Sequence, residues 1–183
     1  MAHRFPGREK AQLRDERRRA VQPVEELIAR MSLRAGEICV DLGSGPGYVA
    51  IPLSRLTSEV IALDVQREML EALMDAAGEQ GNIDPVVADA AHIPLADASV
   101  DRIVMINVLH ELEDAGRNID DMARMLRPGG RISLVDFPRR PTSMGPPLEE
   151  RIDIDEAVNL FSRFRVIGQW EFSEYYQLEM ERP

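Results

Sequence analysis

The stretch Val40-Asp41-Leu42-Gly43-Ser44-Gly45-Pro46-Gly47 decides how this chain is read. A short apolar run enters it as a strand, glycines follow, and a helical pattern leaves it. Glycine permits positive φ and removes the Cβ that would keep a ligand off the backbone, so such a turn is a place where a cofactor lies against main chain. The spacing is G-x-G-x-G preceded by an acid. A dinucleotide fingerprint needs its third glycine at position 48, which is Tyr48, and Pro46 withdraws a backbone N–H that a pyrophosphate would use.

Around this turn, from residue 37 onward, β-branched runs alternate with helical periodicity, the pattern of βαβ units and a mainly parallel sheet. Strands are predicted at Glu37 to Leu42, Val60 to Leu63, Pro85 to Ala88, Val100 to Ile106 and Arg131 to Phe137. The last is introduced by a turn at Arg127-Pro128-Gly129-Gly130. Met69, Leu70, Leu73 and Met74 recur at helical spacing, as do Ile119, Met122, Met125 and Leu126, so each crossover has an apolar stripe to lay on the sheet and these methionines are core. Val24, Leu27, Ile28 and Met31 predict a short helix starting after Pro23. Pro138, Pro141, Pro146 and Pro147 mark a loop, Leu148 to Phe161 reads as helix, and Arg165 to Phe172 with Tyr175 to Glu181 reads as a closing hairpin.

In a doubly wound sheet, ligands bind beyond the carboxyl ends of the strands. Asp64 stands at such an end, 21 residues after Gly43, where a carboxylate accepts from both hydroxyls of a ribose. Asp89 ends the next strand and suits an adenine amino group. Asp41 adds negative charge beside the glycines, favouring a cation there and repelling a phosphate. The edge is set for a positively charged amino-acid nucleoside.

From about Ala35 to the C-terminus the chain resembles the class I S-adenosylmethionine (SAM)-dependent methyltransferases. Val40 to Gly47 matches that family's first motif, Ile61 to Asp64 its second, Asp89-Ala90 its third, and Arg127 to Gly130 the turn before its fifth strand. Asp101 to His110 is similar to the small-molecule branch that includes ubiquinone and menaquinone methyltransferases. The resemblance implies an α/β, Rossmann-like, seven-stranded, mainly parallel sheet with helices on both faces and an antiparallel last strand. It implies SAM as cofactor, with S-adenosylhomocysteine as product. Asp41, Gly43 and Gly45 would then face the methionine portion, Asp64 the ribose, and Asp89 with Ala90 the adenine, with the Asn107 backbone carbonyl near the ligand's amino group and Ser44, Gly47 and Val65 as further cofactor-binding residues.

Methyl transfer from a sulfonium is an in-line displacement with an activated leaving group, so positioning and water exclusion carry most of the chemistry. Where the acceptor must lose a proton, His110, just after the fourth strand with Glu111 beside it, is the candidate base. His3 and Phe5 belong to an arm that could fold over the pocket, His92 is left without a role, and the histidines and acids have no metal-ligand spacing. Asn107 is followed by Val108-Leu109, so the N-P-P-Y type motif for exocyclic amines of bases is absent and a small-molecule acceptor is expected.

Composition bounds the rest. A chain of 183 residues fits one hydrophobic core, organised here as an N-terminal basic arm and helix over residues 1–34, a candidate lid, and a methyltransferase domain over 35–183. The net charge of -10 argues against a broad grip on nucleic acid. Arg4 to Arg19 nevertheless holds seven basic and three acidic residues. That run is either a solvated helix face or a lid for an anionic acceptor, and the Arg17 to Arg19 cluster, Arg139 and Arg140 are the candidate anion partners. The lone Cys39 is read as a buried strand residue. No membrane span or signal peptide is read, so a cytoplasmic location is expected. A homodimer is allowed. RNA or protein methylation, SAM binding without catalysis, and nicotinamide-dependent oxidoreduction stay open as alternatives.

Overall fold

The computed structural model describes residues 16–183. His3, Phe5 and the first part of the basic arm lie outside the described residues. Contacts gather the chain into two compact units, with the break between Pro94 and Leu95.

In the unit ending at Pro94, α1 (Glu16–Val21) and α2 (Val24–Met31) precede β1 (Ile38–Leu42), α3 (Ala50–Ser54), β2 (Glu59–Asp64), α4 (Arg67–Ala77) and β3 (Ile83–Val87). β1 pairs parallel with β2 and β2 with β3. Val60 to Leu63 is buried throughout, as expected of a parallel strand covered on both faces. β3 holds Pro85 and is largely exposed, which suits an edge. α2 buries Val24, Leu27, Ile28 and Met31, the stripe predicted to follow Pro23. α4 buries Met69, Leu70, Leu73 and Ala77 and stops at Gly78, where φ is 63°. Cys39 is buried in β1.

The second unit contains β4 (Val100–Ile106), α5 (Ala115–Met125), β5 (Leu126–Asp136), α6 (Ile154–Leu160), β6 (Arg165–Glu171) and β7 (Tyr176–Glu181). β5 runs parallel to β4 and antiparallel to β7, and β7 pairs antiparallel with β6, so the predicted closing hairpin is present. The sheet order is β3-β2-β1-β4-β5-β7-β6, seven strands, mainly parallel, Rossmann-like, with the antiparallel strands last.

Two local expectations fail for clear reasons. Arg127 to Gly130 is not a turn ahead of the fifth strand but part of β5: Val100 pairs with Leu126 while Arg102 pairs with Arg131, so the Pro-Gly-Gly segment is taken up as a bulge. Its backbone stays paired, Gly129 N donating to Arg182 O at 3.0 Å and Arg182 N to Gly130 O at 2.8 Å. Leu148 to Phe161 is not one helix. It begins as a single 3₁₀ turn, Leu148–Glu150, and restarts as α6 after Asp153, whose side chain accepts from Ile154 N. Between them Arg151 is buried and donates to the carbonyls of Pro146, Pro138 and Arg140 and to Thr142 Oγ1, drawing the chain out of helical register to close the proline loop.

Candidate active site

β1 delivers its glycines onto the end of β2. Gly43 N and Ser44 N both donate to Leu63 O, at 2.8 and 2.9 Å, folding the turn back over the neighbouring strand. Gly43, Gly45 and Gly47 have φ of 70°, 52° and 88°. A Cβ on Gly47 would stand 2.9 Å from Ile51 Cδ1 and from Leu73 Cγ, so packing as well as φ demands glycine there. Asp64 fastens the turn from the other side: Oδ2 accepts from Gly45 N and Oδ1 from Gln66 N, each at 2.9 Å. Each carboxylate oxygen has a second lone pair, so the same residue can take ribose hydroxyls without releasing the turn.

Asp41 lies beneath this turn with 2% of its surface exposed, and its Oδ2 has no hydrogen-bond partner among the described residues. Burial raises its carboxyl to about 7, while Arg18 and the Ala50 N–H pull it down and Asp64 pushes it further up. Ser44 Oγ, also buried, is likewise unpartnered. Buried polar atoms are rarely left this way. A ligand bearing an ammonium or sulfonium fits both features: the cation returns the charge to Asp41, and Ser44 supplies a hydroxyl to the ligand's polar end. On that chemistry the residues fit the cationic end of SAM. Val65 is exposed just past Asp64. Asp89 lies two residues beyond Val87, the register partner of Asp64, where its Oδ1 accepts from Ala91 N at 3.0 Å and sets Ala90 within a tight turn.

Tyr48 and Arg18 belong to the same unit, and the sequence reading offers Arg18 only as one of the Arg17 to Arg19 cluster. Tyr48 entered that reading only as a missing glycine. Its hydroxyl donates to Gln22 O at 2.5 Å, and the Arg18 guanidinium lies 4.2 Å from its ring centroid. Arg18 is buried while Arg17 and Arg19 are exposed. Burial pushes the Arg18 guanidinium down to about 10, with Tyr48 and Asp41 drawing it back up.

The second unit carries the other named residues. Asn107 follows β4 with φ of 61°, its N–H donating to Val135 O at 2.8 Å. His110 begins no long helix; it sits in the 3₁₀ turn Leu109–Glu111, buried, with Nδ1 2.7 Å from Asp136 Oδ1. Asp136, at the end of β5, also accepts from Phe137 N at 2.8 Å. Burial works against protonation of His110, but Asp136, with Glu111 and Glu150, wins and raises its pKa. The signal for Asp136, an aspartate ending a strand, was legible in the same way as Asp64 and was not used. Arg139 and Arg140 are occupied as structural links, to Arg151 O and Glu156 and to Glu171 and Phe172 O respectively. His92 lies exposed in its loop. Among the described residues no group of three or more His, Cys, Asp or Glu is placed to hold a metal, and no helix is long and apolar enough to cross a membrane.

Comparison with known proteins converges on the class this architecture defines. The family model described as a methyltransferase domain matches residues 40–134, more than half of the chain. The chain belongs to that family, and the cofactor of the family is SAM. It is 38% identical over 122 residues to methyltransferase GfsG of Streptomyces halstedii, covering 64% of this chain and 44% of that protein. It is 34% identical over 111 residues to the ubiquinone/menaquinone biosynthesis C-methyltransferase UbiE of Haemophilus ducreyi, covering 57% and 43%. The chain therefore spans about half the length of the curated relatives it matches. A SAM-dependent methyltransferase from Aquifex aeolicus superposes with a TM-score of 0.91 at 23% identity, over 98% of this chain and all of that one, which shows the shared fold.

Proposed function

We propose that the protein transfers the methyl group of SAM to a small-molecule acceptor by in-line displacement. The observation that carries this reading is the buried, unpartnered Asp41 Oδ2 beneath the glycine turn. A phosphate-bearing cofactor would be repelled there, whereas a cationic amino-acid nucleoside supplies the missing charge. When bound, SAM contributes a methyl group on an electron-poor sulfur, so the chain has only to hold, orient and shield it. Asp41, Gly43, Ser44, Gly45 and Gly47 hold the methionine portion, Asp64 and Val65 the ribose, and Asp89 and Ala90 the adenine.

His110 is the base. Asp136 at Nδ1 fixes the tautomer that leaves Nε2 as proton acceptor, and both groups are buried, which locks the ring. A small acceptor is supported by the relatives' printed roles and by the acidic balance of the chain. Burial of Arg18 also narrows the basic surface that α1 could offer to RNA.

Calorimetric titration with S-adenosylhomocysteine tests the site. Saturable binding is expected, weakened by about 1–3 kcal/mol in Asp64→Ala, the cost of polar groups left unpaired. A wild-type protein that releases no heat at millimolar ligand overturns the assignment. Full turnover in His110→Ala with intact cofactor binding would remove the base and leave the rest standing.

A further inference from the structure

We propose that Glu150 binds a hydrogen-bond donor of the methyl acceptor while His110 takes the proton of the hydroxyl being methylated, so that the acceptor is an uncharged aromatic alcohol with a second donor on the same ring. The proposal rests on the reading of His110 as the base. Both residues lie in the second unit, and each has one atom that the folded chain leaves unmatched. Nδ1 of His110 is taken by Asp136 at 2.7 Å, whereas Nε2 has no hydrogen-bond partner among the described residues. Oε2 of Glu150 is buried and likewise has none among them. A buried carboxylate oxygen is costly to leave unpaired. Two acceptors without a donor call for a ligand that brings two donors.

A packed series of side chains ties the turn of Glu150 to the imidazole. Phe137, next to Asp136, meets the His110 ring edge-on with centroids 6.4 Å apart. The Arg151 guanidinium lies 5.6 Å from the centroid of the same phenyl ring, and Gly145 packs on it so closely that a Cβ would stand 2.9 Å from Phe137 Cδ1 and Cγ. Arg151 is itself fixed by donating to Pro146 O, Pro138 O, Arg140 O and Thr142 Oγ1, and the 3₁₀ turn Leu148–Glu150 immediately precedes it. Glu150 is, with Asp136 and Glu111, among the charges that act on His110. The loop's arginines are engaged elsewhere. Arg139 pairs with Glu156 and Arg140 with Glu171, while Arg151, whose charge acts on Asp136 and Glu174, gives its donors to the loop. The surroundings of the imidazole are therefore acidic, which repels an acceptor bearing a carboxylate or phosphate. A phenolic hydroxyl, titrating at about pH 10, shares its proton with an imidazole more readily than an alkyl alcohol does.

The test titrates the protein with phenol, catechol, resorcinol and hydroquinone, with and without S-adenosylhomocysteine, and follows the imidazole proton resonances by NMR. His110→Ala identifies the resonance that belongs to the site. Binding of S-adenosylhomocysteine, measured separately by calorimetry, reports on the glycine turn, so a lost cofactor site is told apart from a failure of this proposal. At least one diphenol should bind about tenfold tighter than phenol, the effect of one hydrogen bond to an ionised group. Glu150→Leu, with folding checked by circular dichroism, should abolish that preference and leave the affinity for phenol unchanged. Glu150→Gln keeps an acceptor oxygen, loses the charge and should retain part of the preference. 4-Hydroxybenzoate should bind more weakly than phenol. A wild-type protein that binds no diphenol more tightly than phenol overturns the proposal, as does one that binds 4-hydroxybenzoate more tightly. So does a Glu150→Leu protein that loses phenol and diphenol in equal proportion, the mark of a merely structural side chain.

Discussion

At Asp41, strand β1 buries a carboxyl whose Oδ2 has no partner among the described residues, and burial raises its pKa from an ordinary 3.8 to about 7. The folded chain holds a proton on this group between those values and the unfolded chain does not. Stability of the free protein contributed by Asp41 is therefore present at low pH and lost as pH rises from about 4 to about 7. A cationic ligand prefers the ionised form, so the stabilisation it confers should follow the opposite course. Scanning fluorimetry should show a larger shift in melting temperature with saturating SAM at pH 8 than at pH 6, and Asp41→Asn should flatten the difference. An equal shift at both pH values in the wild-type protein would mean that Asp41 does not face the cation. Asp41, Asp64 and Asp89 were legible from sequence because an acid ending a strand of this pattern has one direction to go. Arg18 was not, because nothing in a run of arginines says which one a six-residue helix turns inward.

Among the elements, β1, β2, β4 and the β6/β7 hairpin lie within a residue or two of where alternation and β-branching place them. β3 begins two residues before the predicted Pro85, since a proline is tolerated inside an edge strand. β5 is the instructive failure. A Pro-Gly-Gly run signals a turn by every local rule, yet pairing to Val100 and to Arg182 holds its backbone in the sheet as a bulge. The bulge depends on Gly130, where a Cβ would lie 2.8 Å from Arg127 O and 3.1 Å from Asp101 O. Gly130→Ala should destabilise the protein by about 1–3 kcal/mol, as overpacking against backbone does. Urea denaturation measures it, and a loss below about 0.5 kcal/mol, the scatter of ordinary surface substitutions, would show that the bulge relaxes freely.

Across the whole molecule the ionic economy is uneven. Most charges face solvent, but Arg102 and Glu179 are buried, 0% and 3% exposed in their side chains, and pair at 3.1 Å between β4 and β7. Ser133 Oγ on β5 donates to Glu179 Oε2 at 2.8 Å and Gln177 Nε2 to Oε1 at 3.1 Å, completing the network. Burial lifts Glu179 to about 7 even so, against the pull of Arg102, Ser133 and Gln177. Such a pair is costly to break and cheap to replace. Glu179→Leu should lose about 3–5 kcal/mol by stranding Arg102, and the double variant Arg102→Met/Glu179→Leu should recover most of it. Equilibrium unfolding of the single and double variants decides the point, and a double variant no more stable than the single one would contradict it.

Periodicity and turn chemistry, which are local, sufficed for the order of strands and helices, the glycine turn and the acids at strand ends, and hence for the class of cofactor. Burial and partnership are not local. Only the tertiary structure singled out Arg18 against Tyr48, paired His110 with Asp136, turned Arg139 and Arg140 into structural links, and drew a Pro-Gly-Gly segment into a strand. Each depends on residues far apart in the chain meeting at one place, and a side chain's desolvation and hydrogen-bond partners exist only once they have met.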